Sequence, residues 1–205
     1  MPNFFNDNDD IKFHFEHMNI GELPAIMEEN FTLSSQFDNA PVDPVDAMAN
    51  YKLILESLGE VAGDFIAQRT EGVDATGVKL NADGSVCLAP GTAEALAILA
   101  KAEVMGFTLP HRFGGLNCPN TIYTMAIDMV SRADAALMNI FGLQGIAETI
   151  NAYASEEIKK QYLPRFSSGQ VTGAMVLTEP DAGSDLQAVK VRAWQDADGN
   201  WKVKN

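Results

Sequence analysis

The sequence predicts a mostly α-helical protein, in which a helical bundle is followed by the first strands of a β-barrel domain. Apolar residues recur every three or four positions through most of residues 44–169, which is the spacing of amphipathic helices. After residue 170 the pattern changes to short apolar runs and alternation, which is typical of strands. We therefore expect an N-terminal extension over residues 1–40, a helical domain over 41–169 and an incomplete β-domain over 170–205.

The N-terminal extension is rich in both aromatic and acidic residues, and its aromatic content is too high for a disordered tail. We expect it to pack on the main body, with short helices. His14 and His17 are three residues apart, so they could share a helix face as metal ligands do. The remaining histidine is His111, with no second cluster, and an exposed or partly packed histidine pair is the other interpretation.

The first long helix has clear start residues. Asp43 suits the N-cap position and Pro44 the first helical position, and the apolar spacing that follows predicts a helix over 44–70. Residues 71–90 are predicted to connect this helix to the next one. Within this connection, Asn81–Gly84 has the composition of a hairpin turn.

Further helices follow from the same spacing. They are predicted over residues 92–105, with Gly106 as the stop, and over 121–133 and 137–153. A last helix begins at the N-cap Ser155, with acidic residues in its first turn, and closes at Pro164 and Gly169.

The β-region begins with an apolar run over Val171–Leu177, which predicts a buried strand. The sequence then turns polar over Thr178–Asp185, so we expect a structured loop there. Alternation over Ala188–Trp194, the turn residues Asp198-Gly199 and the return strand Trp201–Asn205 predict a hairpin. A hairpin without further partner strands has no core of its own, and from this we expect the chain to be a fragment that stops inside a β-domain.

The loop over Thr178–Asp185 has residues that suit a phosphate-bearing cofactor. Gly183 lets the backbone approach an anion closely, Ser184 supplies a hydroxyl donor, and Thr178 offers an amide and a hydroxyl to a polar ring edge. The same loop also contains several carboxylates, which argue against an anion site, and an acidic surface loop is the alternative interpretation. The residues alone leave both interpretations open.

The string Leu177-Thr178-Glu179-Pro180, followed by Ala182-Gly183-Ser184-Asp185, resembles the signature of the acyl-CoA dehydrogenase family. Other motifs of that family stand in the same order, and they are Pro110, Gly114-Gly115-Leu116, Arg132-Ala133-Asp134-Ala135, Tyr162-Leu163-Pro164 and Ser168-Gly169. The resemblance covers about residue 100 to the end. Asp7–Phe13 is similar to the N-terminal extension of the longer, methylmercaptopropionyl-CoA dehydrogenase-like members.

The resemblance implies FAD-dependent α,β-dehydrogenation of an acyl-CoA thioester. It also implies that one set of residues lines FAD: Met175, Val176, Leu177, Thr178, Gly183 and Ser184. Candidate residues for binding the acyl-CoA substrate are Ser184, Met138, Phe141 and Leu143. Glu179 and Asp185 are expected to shape the loop rather than to react.

The family takes its catalytic base from a C-terminal helical domain, which is missing from these residues. The resemblance therefore implies that this chain alone is inactive, and that the full-length protein is a homo-oligomer that passes electrons to an acceptor such as electron-transfer flavoprotein. A related acyl-CoA oxidase or nitroalkane oxidase is one alternative. Another, from a different class, is a non-catalytic helical module that binds a partner protein.

Composition excludes several functions. The net charge of −14 and the pI near 4.4 argue against binding nucleic acid or an anionic membrane surface. No apolar run approaches membrane-spanning length, and the two cysteines, Cys87 and Cys118, do not make a disulfide framework, so we expect a cytoplasmic protein. The sequence contains none of the Walker, GxGxxG, HExxH or GxSxG motifs, which disfavours Rossmann, metal and nucleophilic chemistry.

Overall fold

Nine α-helices, numbered α1–α9 in chain order, lie within residues 1–204, the part of the chain that the structure, a computed structural model, describes. Their bounds are Asp9–His17 (α1), Leu23–Met27 (α2), Pro44–Glu60 (α3), Thr70–Thr76 (α4), Pro90–Lys101 (α5), Asn120–Ala133 (α6), Ala135–Gly142 (α7), Ile146–Tyr153 (α8) and Glu156–Ser167 (α9). The strands are Lys79–Leu80 (β1), Val86–Cys87 (β2), Arg192–Gln195 (β3) and Trp201–Lys204 (β4). The predicted fold class, mostly α with a few strands, is confirmed. The chain divides into two units, Met1–Gly173 and a smaller one that begins at Ala174.

The sequence predicts the starts of α3 and α9 correctly because caps are local interactions. Asp43 accepts a hydrogen bond from the Asp46 amide at 2.9 Å, and Pro44 occupies the first turn of α3. Ser155 accepts from the Ile158 amide at 3.4 Å at the start of α9.

Helical backbone of changing type continues beyond α3 without an intervening loop. Val61–Ile66 adopts π-helical geometry and Ala67–Arg69 a 3₁₀ turn, after which α4 completes the run at Thr76. The predicted helix over 44–70 is therefore present, but it is interrupted by a π segment. In a π-helix the backbone hydrogen bonds join residues five apart, so the regular α-helical hydrogen-bond pattern is interrupted there.

The first residues of the chain lie on this helix. The Phe4 amide donates to the Gly59 carbonyl at 2.9 Å, and the Asn3 side-chain amide donates to the Glu56 carbonyl at 3.0 Å. A Cβ atom on Gly63 would lie 2.6 Å from the Pro2 carbonyl oxygen, so the glycine permits the close contact. The extension is thus packed against the helical body, as expected.

One large hydrophobic core fills the helical unit. Its members from the extension are Phe5, Ile11, Phe15 and Ile20, and they pack with Tyr51, Leu55 and Leu58 of α3. The core continues through the inward faces of α5, α6 and α7. Burying a side chain such as that of Phe5 contributes about 1.5–3 kcal/mol, so the extension adds substantially to the stability of the body.

Several helix ends differ from the predictions. α5 ends at Lys101, and the next residues form a turn in which Glu103 has a φ of 59°. The predicted helix over 137–153 is split into α7 and α8 by a 3₁₀ turn over Leu143–Gly145, where glycine weakens the helix. α9 continues through Pro164 to Ser167 before Gly169, with a φ of 71°, ends it.

The smaller unit contains the β3–β4 hairpin, which confirms the strand prediction there, with Asp198 and Gly199 in the turn. The first hairpin, β1–β2, pairs Lys79 with Cys87 and lies in the helical unit. Asn205, the last residue of the predicted return strand, lies outside the described residues.

The predicted buried strand over Val171–Leu177 is wrong. This segment has no regular secondary structure, and Met175, Val176 and Leu177 are exposed. A strand needs a neighbour that accepts its backbone hydrogen bonds, and no strand within residues 1–204 pairs with it. The apolar composition that predicted the strand therefore appears on an extended, exposed segment.

Candidate functional site

The loop after Leu177 is a tight turn held by backbone hydrogen bonds. The Glu179 amide donates to the Ala182 carbonyl at 2.8 Å, and the Ala182 amide donates back at 3.3 Å. Ala182 is buried beneath the turn, while Thr178, Gly183 and Ser184 are exposed. The hydroxyl groups of Thr178 and Ser184 are therefore on the accessible side of the loop.

Acidic residues organise this loop through hydrogen bonds. The Glu179 carboxylate accepts from the backbone amides of Lys190 and Val191 at 2.8 and 3.0 Å, which fixes the loop to the start of the hairpin. Asp185 accepts from the Gln187 amide at 3.1 Å and caps the 3₁₀ turn that follows. Both carboxylates have a structural partner, which agrees with the expectation that they shape the loop.

The space around Gly183 is open. A Cβ atom there would meet only the Thr178 methyl group, at 3.9 Å, so internal sterics do not require glycine. The preceding apolar residues are uncovered, with Val176 97% exposed. The loop thus combines exposed residues that carry hydroxyl groups, an unobstructed glycine and exposed apolar neighbours.

The other candidate residues lie in the helical unit. Phe141 is fully buried, with its ring 5.7 Å from that of Tyr123, whose hydroxyl donates to the Phe141 carbonyl at 2.7 Å. Met138 and Leu143 are half-buried. The structure thus places Phe141 in the core next to a hydrogen-bonded tyrosine, and it leaves part of Met138 accessible.

Gln144 is a buried residue for which no sequence pattern predicts a role. Its side-chain carbonyl accepts from the Gly173 amide at 3.2 Å, and its amide group lies 3.5 Å from the Met105 carbonyl. A Cβ on Gly173 would clash with the Leu143 carbonyl oxygen at 2.5 Å. Gln144 therefore fixes where the chain leaves the helical unit, immediately before the exposed apolar segment.

A second cluster that the sequence did not predict joins the extension to the helical body. Glu28 accepts hydrogen bonds from His111 Nε2 at 3.1 Å and from the Asn117 side-chain amide at 3.1 Å, and only 1% of Glu28 is exposed. Asn117 also donates to the Met27 carbonyl at 2.7 Å while its own backbone is left-handed, with a φ of 51°. The separation of 83 residues between Glu28 and His111 hides this contact from local sequence patterns.

The buried carboxylate also affects its neighbours. Burial raises the pKa of the Tyr51 hydroxyl and of the Cys118 thiol, and the negative field of Glu28 adds to both shifts. Burial likewise raises the pKa of Tyr123. All three groups are held in their neutral forms, which suits a structural rather than a reactive role.

No metal-ligand cluster and no membrane-spanning helix is found within residues 1–204. No three His, Cys, Asp or Glu side chains in this part of the chain are placed to hold a metal ion. His14 and His17 both lie on α1 and are exposed, and His17 stacks on Phe13 with ring centroids 4.4 Å apart. None of the described helices combines the length and the apolar character needed to cross a membrane.

Comparison with known proteins adds a family assignment. The family model described as "Acyl-CoA dehydrogenase, N-terminal domain" matches residues 51–170. A 3-methylmercaptopropionyl-CoA dehydrogenase of Ruegeria pomeroyi is 27% identical over 95% of this chain and 31% of its own length. An L-prolyl-(peptidyl-carrier protein) dehydrogenase of Pseudomonas fluorescens is 33% identical over 55% of this chain and 30% of its own length.

A solved structure shares the fold. The acyl-CoA dehydrogenase complexed with FAD from Bacillus anthracis superposes with a TM-score of 0.63 over 77% of this chain and 25% of that chain, at 22% sequence identity. The chain thus spans about a third of the length of the curated relatives it matches.

Proposed function

The chain belongs to the acyl-CoA dehydrogenase family, and from this premise we propose that it supplies the helical domain, residues 41–169, and the beginning of the flavin-binding β-domain, residues 170–205, of a dehydrogenase. The reaction is α,β-desaturation of an acyl-CoA thioester by the whole protein, since the chain spans only about a third of its relatives. The observation that carries the proposal is the match of the helical unit to the family's N-terminal domain, followed along the chain by the exposed residues Met175, Val176 and Leu177.

FAD is the proposed cofactor, and it supplies a two-electron acceptor for the β-hydrogen when bound. Met175, Val176 and Leu177 offer an apolar edge that is otherwise left in water, which costs free energy unless something covers it. Thr178 would donate to the polar edge of the ring from its amide and hydroxyl. Gly183 and Ser184 would meet the phosphates, because a glycine lets the chain approach and a serine donates.

The proposed acyl site uses α7. Met138 is half-buried, and a thioether side chain with several rotatable bonds adapts to chains of different shape. Phe141 would form a fixed wall, because its backbone is tied to Tyr123 and its ring is packed in the core. Ser184 is proposed to contact the CoA moiety as well as the cofactor.

The catalytic base, the electron acceptor and the assembly are proposed for the whole protein. The base is a carboxylate from residues outside this chain, since Glu179 and Asp185 are occupied in shaping the loop. Electron-transfer flavoprotein is the proposed acceptor, and a cytoplasmic homo-oligomer is the proposed state. The net charge of −14 means that phosphate groups of CoA and FAD must be held by local amides and a few cations.

The proposed cofactor site is tested by a matched pair of double variants in the whole protein. Gly183→Ala combined with Ser184→Ala removes the close approach and the hydroxyl, and we expect FAD affinity to fall at least about tenfold. The control changes the same dipeptide elsewhere, Gly84→Ala with Ser85→Ala in the β1–β2 turn, and should retain FAD. Equal FAD content in both variants and the unchanged protein, measured from the visible flavin band after gel filtration, would refute the site.

A further inference from the structure

The β3–β4 hairpin carries a cationic face that the proposed cofactor loop and acyl site do not use. In the antiparallel register Arg192 lies opposite Lys204, and Trp194 lies opposite Lys202. Because residues two apart in a strand share a face, these four side chains are on one side of the hairpin. The other side carries Ala193, Gln195, Trp201 and Val203.

Part of the cationic face is concave. A hollow of about 440 Å³ is lined by Lys190, Arg192, Trp194 and Lys204. Lys190 is paired with Asp181 at 3.1 Å, and Lys202 outside the hollow is paired with Asp196 at 3.3 Å. No salt bridge within residues 1–204 involves Arg192 or Lys204.

The position of these two charges is unfavourable for the hairpin itself. Like charges directly opposite one another on neighbouring strands repel and destabilise the pair. The chain carries 28 acidic and only 14 basic residues, so a facing pair of cations does not follow from its composition. An anion held between Arg192 and Lys204 would remove the repulsion.

The neighbouring aromatic ring narrows the class of anion. Trp194 lines the same hollow, and indole rings stack well on planar bases. An arginine fork binds two phosphate oxygens at once, and lysine adds a point charge. We propose that this hollow binds a phosphate-bearing nucleotide, with the phosphate between Arg192 and Lys204 and the base on Trp194. The proposal does not depend on the dehydrogenase reaction.

The direct test is calorimetric titration of the whole protein that contains this chain with three probes: adenosine 3′,5′-bisphosphate, ADP and inorganic pyrophosphate. Arg192→Glu places a carboxylate opposite Lys204, which stabilises the hairpin while destroying the pair of positive charges. We expect it to weaken all three ligands at least about tenfold. Lys202→Glu is the control. It replaces a cation with a carboxylate on the same face but outside the hollow, and it should alter binding less than about twofold.

Trp194→Leu removes the indole ring and leaves the positive charges in place, so it tests the contribution of stacking alone. It should weaken the two nucleotides about fivefold or more and leave pyrophosphate unchanged, since only a base can stack. Tighter binding of the 3′,5′-bisphosphate assigns the hollow to the nucleotide end of CoA, and tighter binding of ADP assigns it to a dinucleotide. The proposal is overturned if no probe binds saturably, or if Lys202→Glu weakens binding as much as Arg192→Glu does, because the effect would then be that of general surface charge.

Discussion

At the scale of single residues, Glu28 shows how a buried charge holds the extension to the helical body. Its carboxylate accepts from His111 and Asn117, and it lies almost wholly out of water. A buried charged group needs such partners, because an unpaired one loses its hydration without compensation. The net attraction within the cluster therefore adds little to the free energy of unfolding, whereas removal of one partner would lower that free energy strongly.

Removing the carboxylate should destabilise the protein strongly. Glu28→Ala leaves His111 and the Asn117 amide without their acceptor, and we expect the free energy of unfolding to fall by about 3 kcal/mol. Glu16→Ala, an exposed glutamate on α1, is the control and should change it by less than about 0.5 kcal/mol. Urea denaturation measures both variants, and similar small losses in the two would contradict the structural role of the cluster.

The two cysteines should differ sharply in reactivity. Cys87 is exposed, whereas Cys118 is buried and its pKa is raised, so little thiolate forms and reagent has no access. With a thiol reagent at neutral pH we expect Cys87 to react at least about a hundredfold faster than Cys118. The Cys87→Ser variant should then show only the slow reaction, and a remaining fast phase would show that Cys118 is accessible.

Residue-scale features were predictable where they are local. Asp43 and Ser155 could be identified as caps because the partner amides lie three residues further on. Glu28, His111 and Gln144 could not, because their partners are distant in sequence or are backbone atoms in other elements. The residues predicted to contact FAD and substrate came from a family resemblance, and they stay predictions.

At the level of helices and strands, the spacing of apolar residues predicted which helix faces are buried. Prediction from spacing failed where the structure of a segment depends on a partner element. The amphipathic pattern predicted α3 and α6 well because each of these helices buries one of its faces. The apolar run over Val171–Leu177 looked the same as a buried strand, but strand formation depends on a neighbouring strand. The π segment over Val61–Ile66 was also hidden, since it accompanies packing of the first residues of the chain.

Two glycines in the same helical run test that packing. Gly63→Ala would push a methyl group to 2.6 Å from the Pro2 carbonyl, and overpacking of this kind costs about 1–3 kcal/mol. Gly72→Ala in α4 meets no atom within 4 Å and should stabilise the protein by about 0.5–1 kcal/mol, because alanine favours helix. Thermal or urea unfolding gives both values. A Gly63→Ala variant that is as stable as the unchanged protein would contradict the docking of the N-terminal residues on this helix.

At the scale of the whole molecule, three buried acids determine how stability depends on alkaline pH. Tyr51, Cys118 and Tyr123 have pKa values raised above their ordinary values of 10.0, 9.0 and 10.0. Below about pH 8 both the folded and unfolded chains keep nearly all of these protons, so these groups leave stability unaffected. As pH rises above 9 the unfolded chain loses them first, and the free energy of unfolding must fall.

We therefore expect stability to be level with respect to these groups up to about pH 8 and to decline steeply above about pH 9. Tyr51→Phe offers a clean control, because the Tyr51 hydroxyl has no hydrogen-bond partner among residues 1–204. The variant should be no less stable at pH 7 and should show a shallower alkaline decline. An unchanged slope in urea denaturation from pH 7 to about 11 would contradict the contribution of Tyr51.

The measurement that tests the central claim most directly is a visible spectrum of the whole protein that contains this chain, recorded without oxygen before and after addition of short and long acyl-CoA thioesters. We expect flavin bands that bleach with at least one thioester, because desaturation transfers two electrons to the cofactor. A protein that stays colourless after FAD is supplied, or a flavin that no thioester bleaches, would contradict the proposed dehydrogenase function.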